Sequence, residues 1–192
     1  MASDVSICNA GLALLGAGRI TSLTENSVAA RTCNEAYERT RDAELRGHPW
    51  GFAIKRVQLA ADATAPIFGK TNSFTLPSDF LRLLEPDPNS NDNDWMIENN
   101  NSGISIVTNY DAPLNVRYIA RITDANVMDA LFREALSASL AAEMCEALTQ
   151  SNTKKQIAES IRSAKIREAK RVNAIERPAQ TPPEDIWVTA RA

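Results

Sequence analysis

The residues able to do chemistry are few and scattered. His48 is the only histidine, which leaves one candidate for any triad and excludes most histidine-built metal sites. It stands before Pro49 with no serine or cysteine beside it, so a structural role is expected. Lys70 sits in Phe68-Gly-Lys-Thr71, a fragment of a phosphate loop. The full pattern needs a glycine where Thr64 stands and a helix after the threonine, and residues 72–77 read as extended chain instead. Asp87, Asp92 and Asp94 resemble part of a calcium loop but lack the glycine at its sixth position. Gly16-Ala-Gly18 follows a helical stretch rather than a strand, which makes it a helix stop and not a dinucleotide loop. Cys8, Cys33 and Cys145 are odd in number and far apart, so neither a disulfide framework nor a zinc knuckle is suggested. Each falls on the apolar side of an expected helix, where a thiol acts as a small hydrophobe. No pair of carboxylates is placed in an apolar setting that would raise a pKa. The expectation is therefore no catalytic residues, no cofactor, no metal and no enzyme.

The elements that would position such residues read more clearly. A helix over 4–15 is capped by Ser3 or Asp4, carries Val5, Cys8, Leu12 and Leu15 as a stripe, and ends at Gly16. A second starts at Asn26 or Ser27. It places Val28, Ala29, Cys33, Ala36, Tyr37 and Thr40 on one face and charge, including Arg41, on the other. It stops at Gly47 because Pro49 disfavours helical geometry at His48. Residues 52–59, 104–108 and 114–122 read as strands. In the last, Leu114, Val116, Tyr118 and Ala120 face one way, and Asn115, Arg117, Ile119 and Arg121 the other. Residues 95–97 and 104–107 form an expected hairpin, and the segment after Pro77 reads as one helical turn or a strand. A third helix, 129–149, has an apolar arc too wide for one covered face. A fourth, 153–176, has only the thin stripe Ile157, Ile161, Ala164, Val172 and Ile175. Pro178, Pro182 and Pro183 then forbid helix.

The expected fold is thus α+β, mainly α: a helical bundle of about four helices with a β-rich insertion between helices two and three. Residues 1–51 and 123–177 make the bundle, 52–122 the insertion and 178–192 an extended C-terminal tail.

Charge narrows the partners. Composition is that of a soluble globular protein, 44% hydrophobic and 23% charged, with net charge −3. That balance argues against a free-standing nucleic-acid binder. No apolar run reaches the ~18 residues of a membrane span, and the N-terminus lacks the basic region of a secretory leader. Residues 154–177 hold eight Lys or Arg against three Glu, and 85–129 hold eight Asp or Glu against two Arg. Two such patches meeting between copies would fix register, and the alternative is that both are solvated faces. The ring-contact candidates are Lys154, Lys155, Arg162, Lys165 and Arg167 on one side and Asp92, Asp94 and Glu98 on the other.

Four segments in order resemble one family. Gly47-His-Pro-Trp-Gly-Phe-Ala53 follows a helix over 29–46. Then come Leu76-Pro-Ser-Asp-Phe-Leu-Arg-Leu83, Tyr118-Ile-Ala-Arg-Ile-Thr-Asp124, and Leu131-Phe-Arg-Glu-Ala-Leu136 opening an alanine-rich helix. This order over residues 5–175 resembles the tail tubular protein A, or head-to-tail adaptor, family of short-tailed bacteriophages and prophages. The resemblance implies a virion protein assembled in the bacterial cytoplasm. It would form a homo-oligomeric ring, usually a dodecamer, between the portal protein and the tail nozzle. Double-stranded DNA would pass through the lumen without specific binding, and there would be no membrane partner. Ile186, Trp187 and Val188 in the tail are candidate portal anchors, because tryptophan is enriched in binding hot spots. The alternative is a phage DNA-binding or packaging accessory protein that uses the basic helix 154–177.

Overall fold

The computed structural model describes residues 1–86, 94–100 and 103–176. Four helices appear there: α1 (Asp4–Leu15), α2 (Val28–Gly47), α3 (Ala130–Thr149) and α4 (Asn152–Ile175). Between α2 and α3 lie a short 3-10 turn (Gly51–Ala53) and six strands. These are β1 (Ile54–Leu59), β2 (Asn72–Thr75), β3 (Phe80–Pro86), β4 (Trp95–Asn100), β5 (Gly103–Thr108) and β6 (Leu114–Ala120).

Capping chemistry sets the helix limits. Ser3 and Ser6 form a reciprocal box at the start of α1, and Gly16 ends it in the left-handed region at φ 69°. Ser27 accepts from the Ala30 amide to open α2. Asp129 accepts from the amides of Leu131 and Phe132 to open α3, and Ser151 opens α4.

The strands form two three-stranded antiparallel sheets, one ordered β1-β6-β3 and the other β2-β5-β4. This corrects the expected mainly α bundle with an insertion: the molecule is α+β, and its strand-rich middle is a pair of sheets. α3 is the shared centre of the helical part, with α1, α2 and α4 each packed on it and little contact between α1 and either α2 or α4. α2 turns a further side toward β3 and β6. Buried side chains of helices and sheets belong to one cluster that runs from Leu12 and Phe132 through Trp50 to Leu83, Ile119 and Ile106. The helices pack chiefly on α3, and α2 joins their core to the sheet.

Two helix faces also differ from the expected ones. In α2, Val28 is exposed while Arg41 is buried, paired to Asp42 at 2.9 Å and lying over the Tyr37 ring. In α4, Ile157, Ala164 and Ile175 are exposed, and the helix is seated through Ala158 and Ala169. Small side chains permit close approach to α3, so the seam follows alanines that carry little weight in an apolar pattern. α1 approaches α3 closely in the same way: a Cβ on Gly11 would stand 2.8 Å from the Ser137 carbonyl oxygen.

In β6 the expected inward set, Leu114, Val116, Tyr118 and Ala120, is buried. Ile119 on the other face is buried as well, so β6 is covered on both faces at that point. The segment after Pro77 is a strand, β3.

Candidate assembly surface

The turn after α2 gathers the aromatic residues that sequence reading picks out. The Trp50 indole donates to the Glu44 carbonyl at 2.9 Å, which folds the turn back on the last turns of α2. The Trp50 and Phe52 rings each meet Phe132 of α3 at 5.0 Å between centroids, an edge-on or tilted arrangement favoured by ring quadrupoles. Asn173 of α4 closes the turn from outside. Its side chain bonds the Gly51 amide at 2.8 Å, His48 Nε2 at 3.0 Å and the Pro49 carbonyl at 3.3 Å. His48 thus joins the helix stop to α4 and packs its ring on Trp50 at 4.7 Å.

Lys70 pairs with Asp94, whose other oxygen accepts from Asn109 at 2.6 Å. The chain after Thr71 is β2 rather than a helix, so the amides that would cradle phosphate are absent at this point. The same ion pair anchors the loop 60–71 to the start of β4. Asp62 holds the base of that loop, accepting from the Ser73 hydroxyl and the Thr75 amide. Partial burial opposes ionisation of Asp62, but these donors win and hold its carboxyl below the usual carboxylate range.

The basic candidates on α4 are largely used within the subunit. Lys154 reaches the Leu15 carbonyl at 3.0 Å, near the end of α1. Lys155 pairs with Glu146 at 3.0 Å and Lys165 with Glu134 at 3.9 Å, both on α3. Arg162 reaches Glu44 of α2 at 3.1 Å and Ser139 of α3 at 3.3 Å. Arg167 faces solvent. On the acidic side, Asp94 is tied to Lys70, and Glu98 is exposed on β4. Asp92, the calcium-loop residue Asp87, and the anchor candidates Ile186, Trp187 and Val188 lie outside the described residues.

Two open clefts flank α4. One, of about 200 Å³, lies between α2, α3 and α4 and is lined by charge, including Arg39, Glu143 and Arg162. Ion pairs of Arg39 with Glu143 and of Arg162 with Glu44 cross it, and Arg162 also pairs with Glu159 one turn back on α4. The other, of about 250 Å³, lies beside the aromatic turn and is lined by Phe52, Val127, Asp129, Val172, Asn173 and Glu176. Exposed apolar side chains cluster near it: Val127 is 52% exposed and Ile175 72%.

A further set of exposed apolar residues lies on the loop 60–71 and on the β4–β5 hairpin: Ile67, Phe68, Met96, Ile97 and Ile104. Sequence reading did not single these out. Their signal is a pair of large apolar residues in a loop of Ala, Pro and Gly, where no core periodicity explains them.

Cys8 and Cys33 are fully buried, Cys33 donates to the Met144 sulfur at 3.4 Å, and the neighbouring Cys33 together with burial pushes the Cys8 thiol far up. Among the described residues no group of His, Cys, Asp and Glu side chains is placed to hold a metal ion. No described helix is long and apolar enough to cross a membrane. No known protein family matches this chain, and no curated protein compared with it is significantly similar.

Proposed function

We propose that this chain is the subunit of a head-to-tail adaptor ring, seated between a phage portal and the tail nozzle, through which DNA leaves the particle. The order of the four family-like segments supports the reading. The observation that carries it on physical grounds is the placement of large apolar side chains in solvent at two separate parts of the fold: Ile67 and Phe68 on one loop, Val127 and Ile175 beside the cleft. Exposed apolar side chains, where they join into a patch, suit contact with another macromolecule. Two unlike patches suit a heterologous contact, which closes into a ring when its rotation permits.

The charge distribution suits a conduit. α4 spends most of its candidate cations on its own neighbours, and the chain carries net charge −3. Each cation committed to a phosphate would strengthen retention of DNA, so a lumen with few free cations lets it slide.

The test is co-sedimentation of the full chain with purified portal assemblies. Binding is expected, and deleting residues 184–192 is expected to weaken it while leaving the unfolding midpoint unchanged. Failure of the full chain to bind portal would remove the adaptor assignment. Retention on duplex DNA with a steep salt dependence would favour a DNA-binding role instead.

A further inference from the structure

The loop 60–71 and the cleft beside the aromatic turn have properties that fit each other. Ile67 is 99% exposed and Phe68 87%, so neither side chain is seated on its own subunit. The loop that carries them is nonetheless held at its base, by Asp62 with Ser73 and Thr75 and by Lys70 with Asp94. Gly69 turns the chain at φ 85°, a left-handed conformation that L side chains rarely adopt. A braced loop that presents two large apolar side chains to water is a knob.

The cleft is shaped to receive one. Phe52, Val127 and Val172 supply apolar walls, with polar groups from Asp129, Asn173 and Glu176 also lining it. Its volume is about 250 Å³, whereas an apolar cavity of roughly 150 Å³ suffices to hold benzene. The space is of the size that a phenyl ring needs, with one side open and half of the lining residues polar.

Knob and cleft do not meet within one molecule: Ile67 and Phe68 stand in solvent, and neither lines the cleft. Phe52 lies just before β1 and the loop just after it, so a strand of about 17 Å stands between them along the chain.

We propose that Ile67 and Phe68 of one copy insert into the Phe52, Val127 and Val172 cleft of the next copy. The contact deepens the ring reading, on which it rests for closure into a circle. A buried aromatic covers about 150–250 Å², against roughly 800 Å² per partner in a stable interface. The knob is therefore the anchor of the contact.

The experiment uses the full chain and three variants at exposed positions, with the unfolding midpoint of each checked against wild type. I67S/F68S removes the knob and V127D spoils the cleft. Each is expected to self-associate at least about tenfold more weakly, the effect of removing one fully buried large apolar side chain. Mixed together, they are expected to form a dimer and nothing larger, since one retains a working cleft and the other a working knob. The double variant F68C/V127C, oxidised with diamide, is expected to give a ladder of disulfide-linked multimers that reverses with reductant. The ladder is expected to persist when residues 177–192 are also deleted.

No ladder, or wild-type assembly by I67S/F68S, overturns the contact, and closed rings under those conditions leave the adaptor reading standing. A knob admitted only after residues 177–192 are deleted also overturns it, because the chain's own tail is then the occupant. A ladder whose members never close into rings upholds the contact and removes the ring.

Discussion

α3 and β4 are opposites in how they treat apolar side chains. α3 buries eleven of its twenty residues and is covered by α1, α2 and α4. β4 buries none fully, and Met96 and Ile97 stand in solvent although the strand pairs along its length with β5. The first element is satisfied within one molecule. The second has its backbone satisfied and its side chains left over. Burial of apolar surface drives both folding and association, so the difference separates residues that build the subunit from residues available to join it to something else.

Substitutions in the two regions should therefore have different consequences. The largest effect is expected at Phe132, which is fully buried and touches both Trp50 and Phe52. Phe132→Ala should cost about 3–5 kcal/mol, read by chemical denaturation. It should also loosen the aromatic turn, seen as a shift in tryptophan fluorescence before global unfolding.

Gly11→Ala comes next. The added methyl would meet backbone at 2.8 Å, which flexible side-chain movement cannot relieve. A loss of about 1–3 kcal/mol is expected, although alanine is the better helix former by about 1 kcal/mol. A stabilised variant would show that α1 does not pack as described.

Asp79 gives a pH-dependent effect. It accepts from Lys55 at 2.7 Å and from the Tyr118 hydroxyl at 2.9 Å. Partial burial works against its charge, yet these donors hold its carboxyl below the ordinary 3.8. The unfolded chain then binds more protons than the folded one below that pH. The contribution is complete above pH 3.8 and is lost as pH falls through the folded value. Asp79→Asn should lower the urea midpoint at pH 7, and the gap from wild type should narrow as pH falls below 3.8. Tyr118 acts at the other end: burial and Asp79 push its hydroxyl up to about 12. Its stabilising share is full below pH 10, the ordinary tyrosine value, and fades as pH rises toward 12.

The smallest effect on stability is expected on β4. Met96→Ser and Ile97→Ser should each change it by no more than about 0.5 kcal/mol, with any loss appearing in self-association. A large loss of monomer stability would erase the contrast with α3.

The helices were legible because their ends carry explicit chemistry. Ser3, Ser27, Asp129 and Gly16 are short-range signals, and they lie where the caps are. The faces were less legible. Arg41 looks like a solvent residue until Asp42 and the Tyr37 ring enclose it, and Ala158 and Ala169 are too small to stand out as a seam. The β4–β5 hairpin of the second sheet was legible, but its third strand was not, because β2 is only four residues long; in the first sheet, β3 follows a proline that fits several conformations. The cleft was invisible for a different reason. Phe52, Val127 and Val172 are brought together only when α4 is locked to the aromatic turn by Asn173. The charge runs, in contrast, were plain in the sequence. Their use inside the subunit, by Lys154 on the Leu15 carbonyl and Arg162 on Glu44, depends on helix packing that spacing alone does not show.

On the proposal made above, outward-facing surfaces of identical copies join into a circle around a duct. Electron microscopy of the full chain, alone and mixed with portal, tests it most directly. Closed rings of uniform diameter with an open centre, coaxial with portal in the mixture, are the predicted result. Single globular particles that stay separate at every concentration and ignore the portal would contradict it.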